Sequence, residues 1–134
     1  VAGEGPLAGQ MEGARLLGWL SRDALFEELR GAGVLLFPGR WQEPFGLLAI
    51  EALAQGTPVI AMEGGGIDEF TDAGCVVVGL GDVDAMASRL REVWQDPRRM
   101  EALGRSGWEL VRERFSPETL GERLERLYER VAVG

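Results

Sequence analysis

Trp41-Gln42-Glu43-Pro44-Phe45-Gly46-Leu47-Leu48-Ala49-Ile50-Glu51-Ala52-Leu53-Ala54-Gln55-Gly56, continued by Thr57-Pro58-Val59-Ile60-Ala61, is the stretch from which the rest of the chain can be read. A loop acid and a proline lead into a glycine, then an apolar run of helical length closed by a second glycine. The spacing predicts a helix over 46–55 with Gly56 as its terminator, followed by a buried strand at 58–61. Glu51 stands inside that apolar run, separated by seven residues from Glu43. A helix this apolar is expected to be largely buried, and a buried carboxylate is costly unless a partner satisfies it. The first N–H groups of the helix also lack partners within it, so its start attracts an anion. A phosphate at the helix start and hydroxyl donors at Glu51 would meet both demands, and a nucleotide sugar carries both groups. An arginine such as Arg40 beside Glu51 is the competing explanation.

Outward from this stretch, short apolar runs alternate with amphipathic segments, the pattern of a parallel α/β sheet. Strands are predicted at the end formed by Val1-Ala2, at 15–18, at 34–37, at 58–61 and at 75–78. Helices are predicted at 22–31 and 46–55, with a short turn near 67–70. The last third is helical. Asp82 opens a segment whose Val83, Met86, Leu90, Val93 and Trp94 share one face. Asp96-Pro97 and Ser116-Pro117 each place a capping side chain before a proline at the first helical position. Leu120, Leu124, Leu127 and Val131 then repeat at helical spacing, a stripe expected to reach the core, with a partner-binding face as the other reading.

Glu43-x7-Glu51 around Pro44-Phe45-Gly46-Leu47, followed by Gly56-Thr57-Pro58-Val59, resembles the donor-site signature of family-four retaining glycosyltransferases with the two-domain GT-B architecture. Val1-Ala2-Gly3-Glu4-Gly5-Pro6, Leu16-Leu17-Gly18-Trp19, Ala32-Gly33-Val34-Leu35-Leu36-Phe37-Pro38 and Gly65-Gly66-Ile67-Asp68-Glu69 are similar to flanking segments of the same family. The resemblance implies an α/β, Rossmann-like parallel sheet with flanking helices and a helical C-terminal third, the C-terminal half of such an enzyme. It implies Glu43 as the catalytic-site acid beside the donor sugar, and Glu51 as acceptor for the ribose hydroxyls. Backbone N–H groups at Phe45, Gly46, Leu47 and Leu48 would hold sugar hydroxyls and the diphosphate, and Trp19 and Leu20 would border the base. A core position for Trp19 is the alternative. In the family the glycine-rich loop at 3–6 ends the second strand. The chain, 1–134, is therefore expected to be one partial domain lacking its first, central strand, the basic residues after that strand, and the acceptor-holding N-terminal domain. Such a fragment would catalyse nothing alone, and its exposed sheet edges would invite a second copy.

Composition narrows the function classes. The formal charge is −8, which disfavours nucleic acid and anionic membrane surfaces as partners. Every basic residue is an arginine, and histidine and lysine are absent. That excludes a histidine base, a histidine metal ligand, a Schiff-base lysine, and a phospho-receiver site that requires lysine. No cofactor or metal is expected. The single cysteine, Cys75, fits a reducing cytoplasm and reads as a buried thiol. Asp82-Val83-Asp84 matches a two-aspartate metal motif, but it opens a helix, where Asp82 as cap and Asp84 in the first turn are explained by helix-end electrostatics instead. Gly3-x-Gly5-x-x-Ala8 is a degenerate dinucleotide fingerprint. The competing functions are thus a non-catalytic nucleotide-binding or assembly domain, and a dinucleotide-dependent oxidoreductase.

Overall fold

The computed structural model describes residues 1–41, 43–70 and 73–132; Gln42 of the quoted stretch lies outside them. In chain order the elements are α1 (Arg22–Gly31), β1 (Leu35–Phe37), α2 (Leu47–Ala54), β2 (Val59–Met62), β3 (Cys75–Val78), α3 (Val83–Gln95), α4 (Pro97–Arg114) and α5 (Pro117–Ala132), with 3-10 turns at Ala8–Gln10 and Gly65–Phe70. The three strands form a parallel sheet in the order β1-β2-β3, with Leu35 opposite Val59 and Val59 opposite Cys75. β2 is central and every one of its residues is buried. Its period-2 alternation divides the core. Val59 and Ala61 join Leu29, Ala49, Ala52, Leu53, Ile67 and Cys75 on the face covered by α1 and α2. Ile60 and Met62 join Val78, Met86 and Val93 on the face covered by α3. A parallel sheet needs helices over both faces, and the run Val59-Ile60-Ala61-Met62 is apolar throughout for that reason.

Local chemistry sets the helix ends. Ser21 accepts the N–H of Ala24 to open α1, and Asp82 accepts that of Ala85 at 2.8 Å to open α3. Asp96 accepts from both Arg98 and Arg99 ahead of α4, and Ser116 from Thr119 ahead of α5. Asp82 and Asp84 thus sit where helix-end electrostatics places acids. Thr57, buried, donates its hydroxyl to the Leu29 carbonyl at 2.6 Å, tying the last turn of α1 to the start of β2.

Two expectations need correction. The segments at 1–2 and 15–18 do not join the sheet. Leu17 donates to the Val1 carbonyl and Gly3 to that of Gly18, so the two segments meet only through isolated bridges, Ala2 and Gly3 with Gly18. Left-handed φ at Gly3 (104°) and Gly18 (63°) interrupts the extended chain on both sides. The stripe on α5 is not core either. Leu120, Leu124, Leu127 and Val131 are 47–70% exposed, and no described residue of α5 is buried. α5 leaves the body after Ser116 with α4 as its neighbour, so its apolar face lies open. On α3, Met86 and Val93 are buried, whereas Val83 and Trp94 are exposed. Among the described residues no helix is long and apolar enough to cross a membrane.

Two glycines let α4 approach the rest of the fold. A Cβ on Gly104 would lie 2.2 Å from the Gly56 carbonyl oxygen, and one on Gly107 would lie 2.5 Å from Leu53 Cδ2. Glycine weakens a helix interior by about 1 kcal/mol relative to alanine, so close packing of α4 on α2 outweighs helix propensity here. Gly104→Ala is expected to destabilise the chain by about 1–3 kcal/mol in urea unfolding; a gain in stability would show that α4 is loosely packed. Cys75 is buried, and burial followed by the Asp68 charge pushes its thiol from 9.0 up to about 12. The native chain is therefore expected to resist thiol labelling at pH 8 and to react fully once unfolded. Because the folded thiol holds its proton longer than the unfolded one, its stabilising contribution is complete below about pH 9 and is lost as pH rises toward 12. Cys75→Ala should flatten that alkaline decline in urea melts.

Candidate functional site

In a parallel sheet the loops leaving the carboxyl ends of the strands gather along one edge, where ligands of such folds bind. The loops after β1 and β2 meet there in this chain. Gly66 donates its N–H to the Glu43 carbonyl at 2.7 Å. The approach is so close that a Cβ on Gly65 would lie 2.1 Å from the Glu43 carbonyl oxygen, and one on Gly66 would lie 2.5 Å from Phe45 Cα. Ile67, buried, anchors the glycine turn to the core. The turn therefore works as a buttress for the loop at 43–46. From the other side, the Phe45 ring meets Phe115 edge-on, with centroids 5.8 Å apart.

Glu43 is held at both carboxylate oxygens. Oε1 accepts the Gly46 N–H at 3.2 Å, and Oε2 accepts the Trp41 indole N–H at 3.3 Å. Gly46 has φ 78° and ψ 46°, and it precedes α2 without a side-chain cap. Glycine is favoured there by that left-handed turn. Leu47, in the first turn of α2, is 65% exposed, and Leu48 is half-buried. At the start of α2, Gly46 is thus buried beside a fixed acid, and Leu47 is the residue that reaches the surface.

Glu51 sits one turn further along α2, and its surroundings differ from those expected. α2 buries only the face carrying Ala49, Ala52 and Leu53. The Glu51 side chain lies at the margin, 27% exposed, with Arg22 Nη2 at 3.3 Å from Oε1. Arg40 is not its partner; that guanidinium lies beside Gly81. Burial alone therefore gives Glu51 a smaller penalty than the sequence suggested. An ion pair this open is worth about 0–1 kcal/mol.

Trp19 and Leu20 lie in the segment leading to the Ser21 cap of α1, next to Arg22 in the chain. Trp19 is 83% exposed, which removes the core reading for that residue, and Leu20 is half-buried. The structure thus gathers Glu43, Phe45, Gly46, Leu47 and Leu48 in one loop and helix start. Glu51 follows on the same helix, and Arg22 links it to the segment bearing Trp19 and Leu20. Sequence reasoning missed Arg22, Trp41 and Phe115. Only Arg22 left a local signal: it stands four residues before Phe26, and its guanidinium lies 5.2 Å over that ring.

The dinucleotide fingerprint finds no support in its surroundings. It needs a strand before it and a helix after it, whereas Gly3 follows an isolated bridge and the segment leads into a three-residue 3-10 turn. A groove of about 250 Å³ beside it is lined by Val1, Pro6, Leu7, Met11 and Leu16 among others, and neither Glu43 nor Glu51 borders it. An apolar groove of that kind offers little to a pyrophosphate.

Known proteins share the sequence pattern and the fold of this chain. The chain is 35% identical over 120 residues to the GDP-mannose-dependent monoacylated alpha-(1-6)-phosphatidylinositol monomannoside mannosyltransferase of Corynebacterium glutamicum, covering 84% of this chain and 32% of that protein. Sucrose-phosphate synthase from Thermosynechococcus elongatus superposes with a TM-score of 0.79 at 31% identity, over 89% of this chain and 30% of that one. The Anabaena protein HepE, solved in complex with UDP-glucose, shares the fold, with a TM-score of 0.79 at 18% identity over 91% of this chain and 34% of that one. The chain thus spans about a third of the length of the relatives it matches. The sequence pattern of the Glycosyl transferases group 1 family matches residues 8–109. With that match over most of its length, the chain belongs to the Glycosyl transferases group 1 family.

Proposed function

We propose that this chain is the donor-binding part of a retaining glycosyltransferase, which takes a sugar from a nucleoside diphosphate sugar and passes it to an acceptor with unchanged anomeric configuration. The observation that carries the reading is the pairing of Glu43, fixed at both oxygens, with the uncapped start of α2 and with Glu51 one turn beyond. Negative charge growing on the leaving diphosphate would meet the positive dipole end of α2 and the N–H groups at 45, 47 and 48, that of Gly46 being already given to Glu43 Oε1. Glu43 would accept hydrogen bonds from the donor sugar and favour positive charge at its anomeric carbon. No covalent adduct with Glu43 is invoked. Glu51 would receive the two ribose hydroxyls, and Trp19 and Leu20 would border the base. The relatives support the class of donor: one is named for its dependence on GDP-mannose and another was solved with UDP-glucose.

The acceptor belongs, in this reading, to a second domain of a longer cytoplasmic protein, since the relatives are about three times as long as the matched segment. The reacting centre would then lie between the domains, and the 134-residue chain alone would bind weakly and transfer nothing. β1 has no strand along its outer side among the described residues, so that edge is also the place where a second copy would pair. The non-catalytic alternative, a nucleotide-binding or assembly domain, shares the binding prediction and differs only in turnover by the longer protein.

Nucleoside diphosphates are expected to raise the melting temperature of the chain by mass action, and NAD is not. Glu51→Gln should weaken the best of them by roughly tenfold in calorimetry, the loss of charge-assisted bonds to the ribose. Equal affinity in the variant, or a shift with NAD alone, would refute the reading.

A further inference from the structure

Glu51 reaches its partner across two helices. It projects from α2, while Arg22 stands in the first turn of α1, and Arg22 is the one ion-pair partner of Glu51 among the described residues. Neither helix is loosely placed. Ser21 caps α1 at its start, and the Thr57 hydroxyl fixes the last turn of α1 to β2 at 2.6 Å. The Arg22 head has a platform as well: its guanidinium carbon lies 5.2 Å over the Phe26 ring, which itself packs on the core. A planar guanidinium seated on an aromatic face is held in a way a lysine ammonium is not.

We propose that Arg22 is a positioning residue of the donor site, holding the Glu51 carboxylate in the orientation that receives a nucleotide's ribose hydroxyls. The inference rests on the donor-binding reading given above and adds to it the residue that prepares the acid. Arg22 Nη2 lies 3.3 Å from Glu51 Oε1. A carboxylate has about four acceptor sites, so an arginine at one oxygen leaves acceptor capacity for a diol. The pair therefore aligns the acid without occupying it. The arrangement also brings a positive charge to the mouth of a site in a chain of formal charge −8. The segment just ahead of Arg22 carries Trp19 and Leu20, so one turn of chain would serve both the base and the ribose of the same nucleoside.

The test uses the 134-residue chain, calorimetry with UDP, GDP and ADP, and the 2′-deoxy form of whichever binds tightest. The wild-type chain should prefer the ribose form, and Glu51→Gln should lose that preference. Arg22→Gln should weaken the ribose form by about two- to fivefold, the range open to an exposed charged partner, while leaving the melting temperature in place. Arg22→Lys should not restore the affinity, and Arg22→Gln should add nothing in a Glu51→Gln background. If Glu51→Gln loses the ribose preference while Arg22→Gln binds as tightly as wild type, or more tightly, Arg22 is a mere surface pair or a competitor, and the inference falls alone. If Glu51→Gln keeps the ribose preference, or the wild-type chain binds no nucleoside diphosphate, the donor-binding reading falls and takes the inference with it.

Discussion

The contact on which this structure depends joins backbone to backbone. Gly65 and Gly66 press against Glu43 and Phe45 so closely that no side chain fits between them, and one hydrogen bond of 2.7 Å seals the junction. It ties the loop after β1 to the loop after β2 at the carboxyl edge of the sheet. Without it, the segment at 43–46 would have Phe45 on Phe115 as its main anchor, and the acid at its head would lose its fixed place. Fixed placement matters because preorganised charge needs no rearrangement when a ligand or a reacting centre arrives. Ile67 then carries the junction into the core, so the stability of the fold and the geometry of the site share one element.

Charge gives the site a second constraint. The chain is strongly acidic, and a diphosphate approaching it meets an opposing field. Two local devices act against that field. One is the positive end of the α2 dipole, whose first N–H groups have no partner within the helix and no side-chain cap at Gly46. The other is a set of arginines near the edge, with Arg22 beside Glu51 and Arg40 in the loop after β1. Both are short-range, so they favour an anion seated in the site over one drifting past.

How much of this was legible in the residues depended on whether the cause was local. The strand-helix-strand unit at 35–62 could be read because its apolar run, its glycine terminator and its proline-led strand all act within a few residues. The caps at Asp82, Asp96 and Ser116 were legible for the same reason. The segments at 1–2 and 15–18 looked like strands by composition, but strand identity needs a neighbour, and positive φ at Gly3 and Gly18 broke the run. The apolar stripe on α5 had the right period for a core helix. Period reports that a face is apolar and cannot report what lies over it. At the site, the two acids and the turn glycine were found from spacing. Of the partners that hold them, Arg22 and Phe115 were not, because they come from distant parts of the chain, and Trp41, though close in sequence, carries no spacing signal for its bond to Glu43. The degree of burial of Glu51 was overread as well: an apolar helix of eight residues can still leave one flank at the surface.

The central claim, that the start of α2 seats a donor's diphosphate, is tested most directly by amide NMR of the 134-residue chain titrated with a nucleoside diphosphate. The account expects saturable shifts that are largest at Gly46, Leu47 and Leu48, with smaller ones at Glu51 and Arg22. Saturable shifts confined to α5, around Arg123, Arg126 and Arg130, with the amides at 46–48 unmoved, would contradict it.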